Sequence, residues 1–261
     1  MSENTTTQPV LFMSHGAPML VDDQRWSGEL ASWGQELDKP KQILMVSAHW
    51  EEAPPTISST QEHTPLVYDF YGFPSKYYEM QYDTPAAVEL ATEVLGVLGP
   101  QVQQDQGRGL DHGAYVPLTQ MYPDADVPVL QLSLPSLNPV ELFEMGRKLA
   151  PLRDAGTMII GSGFTTHNLR WFNPGAGPDV TPPQASAEFD HWAAEALENK
   201  DIDALLNFWD DAPAAHEAHP RIEHWAPLYV ALGAALDSGL DNTSTIDGFW
   251  YGLSKRSWQF A

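Results

Sequence analysis

Short unbroken apolar runs, each closed by a turn signal, recur along this chain and alternate with stretches whose apolar positions fall at helical spacing. Residues 10–14 (VLFMS) end in His15-Gly16-Ala17-Pro18 and predict a buried strand opening into a turn. Residues 41–48 (KQILMVSA) predict a second strand, ended by His49 and then by a Glu/Pro-rich loop over 51–55. Further strands are predicted over 127–132 and over 157–160, the latter running into Gly161-Ser162-Gly163, with weaker ones over 56–60 and 244–253. Helical spacing predicts helices over 26–37, 86–98, 114–121, 139–152, 183–199, 201–209 and 225–236. Residues 64–85 are aromatic, proline-punctuated and follow neither period, which marks a long functional loop; 107–113 (GRGLDHG) and 216–223 read as connections. No repeat or linker divides the chain. Apolar strands alternating with helices predict one α/β domain over 1–261, with a flexible arm over 1–9 and a central mostly parallel or mixed sheet covered by helices on both faces.

Charge narrows the partners. With 35 Asp and Glu against 13 Lys and Arg, the net charge is −22, and the longest basic stretches are only pairs such as Lys255-Arg256. That surface repels polyanions, so neither nucleic acid nor anionic membrane is an expected partner. An apolar content of 43% with nine Trp is too high for a disordered acidic chain. No apolar run approaches the roughly 20 residues of a membrane span, and residues 1–9 lack a signal-peptide pattern, so a cytoplasmic protein is expected. The chain has no cysteine, which removes disulfides, thiolate catalysis and Cys-based metal sites. Any metal must be held by histidine and carboxylate.

The histidines supply the candidate chemistry. In open α/β sheets ligands bind beyond the carboxyl ends of the strands, and His15, His49 and His167 all follow predicted strands. Each alone could cap a turn; three at one sheet edge favour a shared site. His112 and His224 could join from loops. Imidazole is the natural thiol-free ligand for Zn²⁺ or Fe²⁺, and an octahedral Fe²⁺ site keeps positions open for substrate and dioxygen. A histidine titrating near neutrality serves better as a general base, and a neutral one can steady bound oxygen. Rival motifs are weaker. His216 and His219 are three apart, yet Pro220 follows at once and His-Glu-x-x-His is absent, so they read as solvated loop. Gly161-Ser162-Gly163 lacks the rest of a phosphate loop, and no Gly-x-Ser-x-Gly elbow exists. The aromatic stretch could wall a pocket for a flat ring or cover core, with Tyr68, Phe70, Tyr71 and Phe73 as pocket candidates. Arg170 and Arg221 are candidates to offset a bound anion.

Ser14-His15-Gly16-Ala17-Pro18, Ser47-Ala48-His49-Trp50-Glu51, Tyr68-Asp69-Phe70-Tyr71-Gly72-Phe73-Pro74, Leu110-Asp111-His112-Gly113, Gly161-Ser162-Gly163 with His167-Asn168-Leu169-Arg170, and Glu223-His224 occur in this order. With them the chain resembles the DODA-type extradiol aromatic ring-opening dioxygenases of the LigB-like class III group, over nearly its whole length. The resemblance implies a mixed-sheet α/β domain and one divalent metal, Fe²⁺ when active and often Zn²⁺ as purified. It implies His15, His49 and His224 as ligands, His167 as general base and His112 as a donor near substrate and dioxygen. Protocatechuate-type members use a glutamate as third ligand, so Glu223 rivals His224 for that place. Phe164-Thr165-Thr166 stands where the family pattern has Asn-Val-Val, which bears on pocket polarity. The implied reaction inserts both atoms of O₂ into a DOPA-like or related catechol and opens the ring to a muconic semialdehyde. Two other readings remain at this point: a non-catalytic metal-binding protein on the same scaffold, as in the Memo proteins, and a zinc hydrolase.

Overall fold

The apolar runs form strands whose residues alternate between two buried faces. The structure, a computed structural model, describes residues 7–261. Its main sheet contains β1 (Val10–Ser14), β2 (Gln42–Glu51), the short β3 (Thr56–Ile57) and β4 (Gln103–Gln104), β5 (Val129–Leu134), β6 (Thr157–Gly163) and β7 (Asn242–Ile246). A two-stranded hairpin, β8 (Phe249–Trp250) with β9 (Leu253–Ser254), precedes β10 (Ser257–Phe260), which returns to the main sheet. The order is β4-β3-β5-β2-β6-β1-β10-β7. β5, β2, β6 and β1 run parallel, while β10 is antiparallel to β1 and β7, and β3 is antiparallel to β5.

Side chains of successive strand residues point to opposite faces, so a strand covered on both sides must be apolar throughout. Val10, Phe12, Leu44, Val46 and Ile159 face one core, built with α2 (Val88–Leu98), α4 (Pro139–Leu149), α5 (Gln184–Glu198) and α9 (Pro227–Ala235). Leu11, Met13, Ile43, Met45 and Ile160 face the other, built with α1 (Gln24–Glu36) and α3 (His112–Met121). The expected α/β class and two-sided cover are therefore present. Among the described residues no helix is long and apolar enough to cross a membrane.

Several boundaries differ from expectation. β2 continues past the apolar run, so His49 lies inside the strand, and Gly161-Ser162-Gly163 is the end of β6 instead of a loop. The helix expected over 201–209 breaks into α6 (Ile202–Leu206) and α7 (Phe208–Asp211), and α8 (Ala215–Ala218) occupies part of the expected polar connection. The strand expected over 244–253 is cut at Gly248, whose φ of 91° reverses the chain into the hairpin. Of the arm expected over 1–9, residues 1–6 lie outside the described residues. Residues 7–9 do not behave as a free arm: Gln8 N–H donates to the Arg153 carbonyl at 3.2 Å and its own carbonyl accepts from Arg153 Nε at 2.7 Å.

β10 also closes a junction beneath the sheet edge. Ser14 N–H donates to Ser257 Oγ (3.0 Å) and Ser14 Oγ to the Arg256 carbonyl (2.9 Å). Thr165 Oγ1 donates to that same carbonyl (2.8 Å), and Thr165 N–H to Ser14 Oγ (3.2 Å). Residues next to His15 and two before His167 are thus tied to one another through the chain's last strand.

Candidate metal centre and active site

β1 and β2 lie on either side of β6, and their carboxyl ends deliver two histidines above it. His15 is the first residue after β1, fixed by its N–H on the Gly163 carbonyl at 3.0 Å, and His49 sits near the end of β2. His224 ends a short 3₁₀ turn, Ile222–His224, whose His224 carbonyl accepts from Phe164 N–H at 2.8 Å. That approach needs glycine at 163, because a Cβ there would run into the His224 carbonyl.

The three rings converge by Nε2. His15 and His49 Nε2 are 3.0 Å apart, and His49 and His224 Nε2 3.3 Å apart. Each Nδ1 is engaged elsewhere. His224 Nδ1 is 3.0 Å from Glu223 Oε1, His49 Nδ1 is 3.3 Å from Asp69 Oδ2, and His15 Nδ1 is 3.0 Å from Ser162 Oγ. Carboxylates accept only, so Nδ1 of His224 and His49 carries the proton. Ser162 spends its single hydroxyl proton on the Gly113 carbonyl (2.5 Å), so His15 Nδ1 must donate to it too. Three Nε2 lone pairs therefore face one another with no proton to share, which is the donor set a divalent cation fits. Burial, reinforced by the neighbouring imidazoles, pushes all three toward the neutral form, His49 down to about 3 and His15 and His224 well below the usual value.

Two carboxylates organise the remaining imidazoles. Asp69 Oδ1 accepts from His112 Nδ1 at 2.7 Å, while its other oxygen faces His49. His112 is the first residue of α3, so Asp69 also sits at that helix's N-terminus, where its charge is favoured. Burial, the largest single effect, raises the Asp69 pKa, but the hydrogen bonds from His112 and the charges of His112 and His49 together outweigh it, and the carboxylate is held below its usual range. On the opposite flank Glu223 Oε1 lies 3.7 Å from His167 Nδ1 as well as against His224. Burial opposes its ionisation too, and His167 together with Arg221 brings the net shift downward. The His167 ring stacks on His224, centroids 3.4 Å apart and planes 17° apart. Glu223 thus meets the Nδ1 edges of both rings, away from the three converging nitrogens. A third acid, Asp111, is fully buried and accepts from Ser47 Oγ and Gln131 Nε2, each at 2.8 Å. Burial raises its pKa. It joins the end of β2 to the start of α3, where a Cβ on Gly113 would strike Ser47.

All five predicted histidines line one cavity of about 350 Å³. Phe70, Tyr71 and Phe73 also border it, but Tyr68 does not: its hydroxyl donates to the Met80 carbonyl at 2.6 Å and its ring packs on Tyr115 behind the wall. Sequence reasoning missed Phe172, Trp250 and Leu253, which reach the cavity from distant segments, and gave no role to Asp69. The Tyr68-Asp69-Phe70 run held the only signal, an acid set among aromatics. Phe164 borders the cavity, while Thr165 and Thr166 are buried in hydrogen bonds beneath it. The other histidines lie apart. His219 is fully buried against Phe189 and Trp225 with Nε2 on the Thr165 carbonyl at 2.9 Å, so it is core where solvated loop was expected. His216 stacks on Trp209. Arg221 is committed to Glu51 through two 2.5 Å bonds, and Arg170 is exposed and does not line the cavity.

The chain is 39% identical to the 4,5-DOPA dioxygenase extradiol of Beta vulgaris, covering 100% of this chain and 99% of that one. It is 36% identical to the protein of the same name from Escherichia coli K12, covering 88% and 86%. The crystal structure of an uncharacterised Escherichia coli K12 protein superposes with a TM-score of 0.81 at 32% identity, covering 97% of this chain and all of that one. The profile of the catalytic LigB subunit of aromatic ring-opening dioxygenases matches residues 9–249, and the chain belongs to that family.

Proposed function

We propose that this enzyme opens a catechol ring beside its hydroxyls, with Fe²⁺ held by His15, His49 and His224, His167 as general base and His112 as donor to substrate or dioxygen. The observation that carries this reading is the trio of buried Nε2 lone pairs, each left without a proton by its own Nδ1 partner. Family membership and the extradiol relatives favour ring opening over the binding and hydrolytic alternatives.

When bound, the metal supplies Lewis acidity toward the catechol oxygens and a route for electrons to dioxygen. The protein's part is orientation and proton handling. His167 turns Nδ1 to Glu223, which leaves Nε2 for the substrate hydroxyl; stacking on His224 holds that nitrogen beside the metal ligands. Asp69 is set to stabilise an imidazolium on His112, the form that donates from Nε2 to charge developing on oxygen. Glu223 serves His224 as an outer partner, and this geometry favours His224 over Glu223 as the third ligand. Phe164 and the aromatic wall border the space in which both protons move.

Anaerobic reconstitution with Fe²⁺, followed by air and a catechol, is expected to consume oxygen and give a yellow product. Zn²⁺-loaded protein should consume none. His167→Ala should lose about 10²–10⁴-fold in kcat while holding its metal. Fe²⁺-loaded protein that consumes no oxygen across a catechol panel would remove the reading.

A further inference from the structure

The cavity wall identifies what the catechol carries. Beyond the five histidines, the chamber is bordered by Phe70, Phe73, Leu169, Phe172, Trp250 and Leu253, with small residues of the turn after β1. Among the described residues no Lys, Arg, Asp, Glu, Ser, Thr, Asn or Gln lines it. The Trp250 indole N–H is spent on Asp23 at 3.0 Å, which leaves the Tyr71 phenol as the wall's one hydroxyl among those residues. Tyr71 and Leu169 are 91% and 64% exposed, two of the five large apolar side chains left in solvent among the described residues, and both stand on this cavity. An apolar rim leading to an apolar wall gains by covering both.

An amino-acid substituent fares badly there. Its ammonium and carboxylate would lose water without gaining a partner. The charged groups nearby are committed: Asp69 to the imidazoles, Glu223 through Oε1 to the imidazoles with Oε2 3.5 Å from Arg221, Arg221 to Glu51, and Arg256 to Asp190 through two 2.8 Å bonds. Arg170 is exposed beyond Leu169 and outside the wall. The molecule's net charge of −22 further opposes a carboxylate.

Resting on the ring-opening reading, we propose that the substrate is a catechol bearing an uncharged apolar substituent, alkyl or aryl, instead of the amino-acid side chain of DOPA. The Fe²⁺-loaded enzyme is titrated anaerobically by calorimetry with catechol, 4-methyl-, 4-ethyl- and 4-propylcatechol, and L-DOPA; air is then admitted and oxygen uptake followed. Affinity is expected to rise about fourfold per methylene that enters the wall. 4-Propylcatechol should exceed L-DOPA by at least about tenfold in both affinity and kcat/KM. L-DOPA binding as tightly as 4-propylcatechol, or a DOPA preference abolished by Arg170→Ala, would overturn the proposal. An intact affinity ladder without oxygen uptake would instead sink the ring-opening reading and uphold the apolar preference of the cavity.

Discussion

Each flank of the histidine cluster is governed by one carboxylate shared between a metal-facing imidazole and a substrate-facing one. Asp69 meets His49 and His112; Glu223 meets His224 and His167. Glu223→Gln should therefore weaken metal binding by about 10–100-fold and lower kcat as well, because outer partners fix ring orientation and tautomer. If Glu223 were itself the third ligand, His224→Ala would keep its metal and Glu223→Gln would not; metal content of the two purified variants separates the cases. Asp69→Asn should act likewise through His49 and His112. His219 makes a different prediction. Burial lowers its pKa from 6.5 to about 3, so it folds neutral while the unfolded chain takes up a proton below pH 6.5. Its stabilising share is complete above that value and is lost as pH falls toward 3, by about 2 kcal/mol between pH 7 and pH 5. Urea midpoints at the two pH values should fall less for His219→Gln than for the parent protein, which loses His219's share on top of that of the metal-facing histidines.

At the scale of elements, the third histidine depends on a bare backbone at the end of β6. Gly163→Ala would press a methyl into the His224 carbonyl, costing about 1–3 kcal/mol and loosening the metal. Metal stoichiometry after dialysis and the urea midpoint should both drop. The central strands were legible because each is buried on both faces, and an unbroken apolar run such as Val10–Ser14 has few other uses. The five site histidines were legible because three follow predicted strands and the other two, His112 and His224, sit in short motifs, and the sheet edge collects them. β10 was not legible: Ser257–Phe260 alternates too briefly to outweigh the longer run before it, and only pairing with β1 makes it a strand. Asp69 had no role in the sequence reading, and Glu223 was seen only as a rival ligand, for a related reason: an outer partner is defined by distance to another loop. The same holds for Phe172, Trp250 and Leu253, which become pocket wall only once the β8–β9 hairpin folds over the sheet edge.

For the molecule as a whole, the exterior and the chamber obey different electrostatics. A net charge of −22 repels anionic catechols at long range, and salt screens that repulsion. For 3,4-dihydroxybenzoate, kcat/KM should rise several-fold between about 10 mM and 300 mM salt, while for neutral 4-methylcatechol it should stay flat; steady-state oxygen uptake reads both. The pairing of β1 with β10 reaches further than the site. Val10 lies opposite Phe260, so this contact closes a very long loop, and contacts of such separation are expected to form late in folding. The carbonyl of Arg256 is what steadies Ser14 and Thr165 beside the histidines. The metal pocket is consequently expected to assemble late in folding, so that metal present from the start of refolding should not speed its early phase.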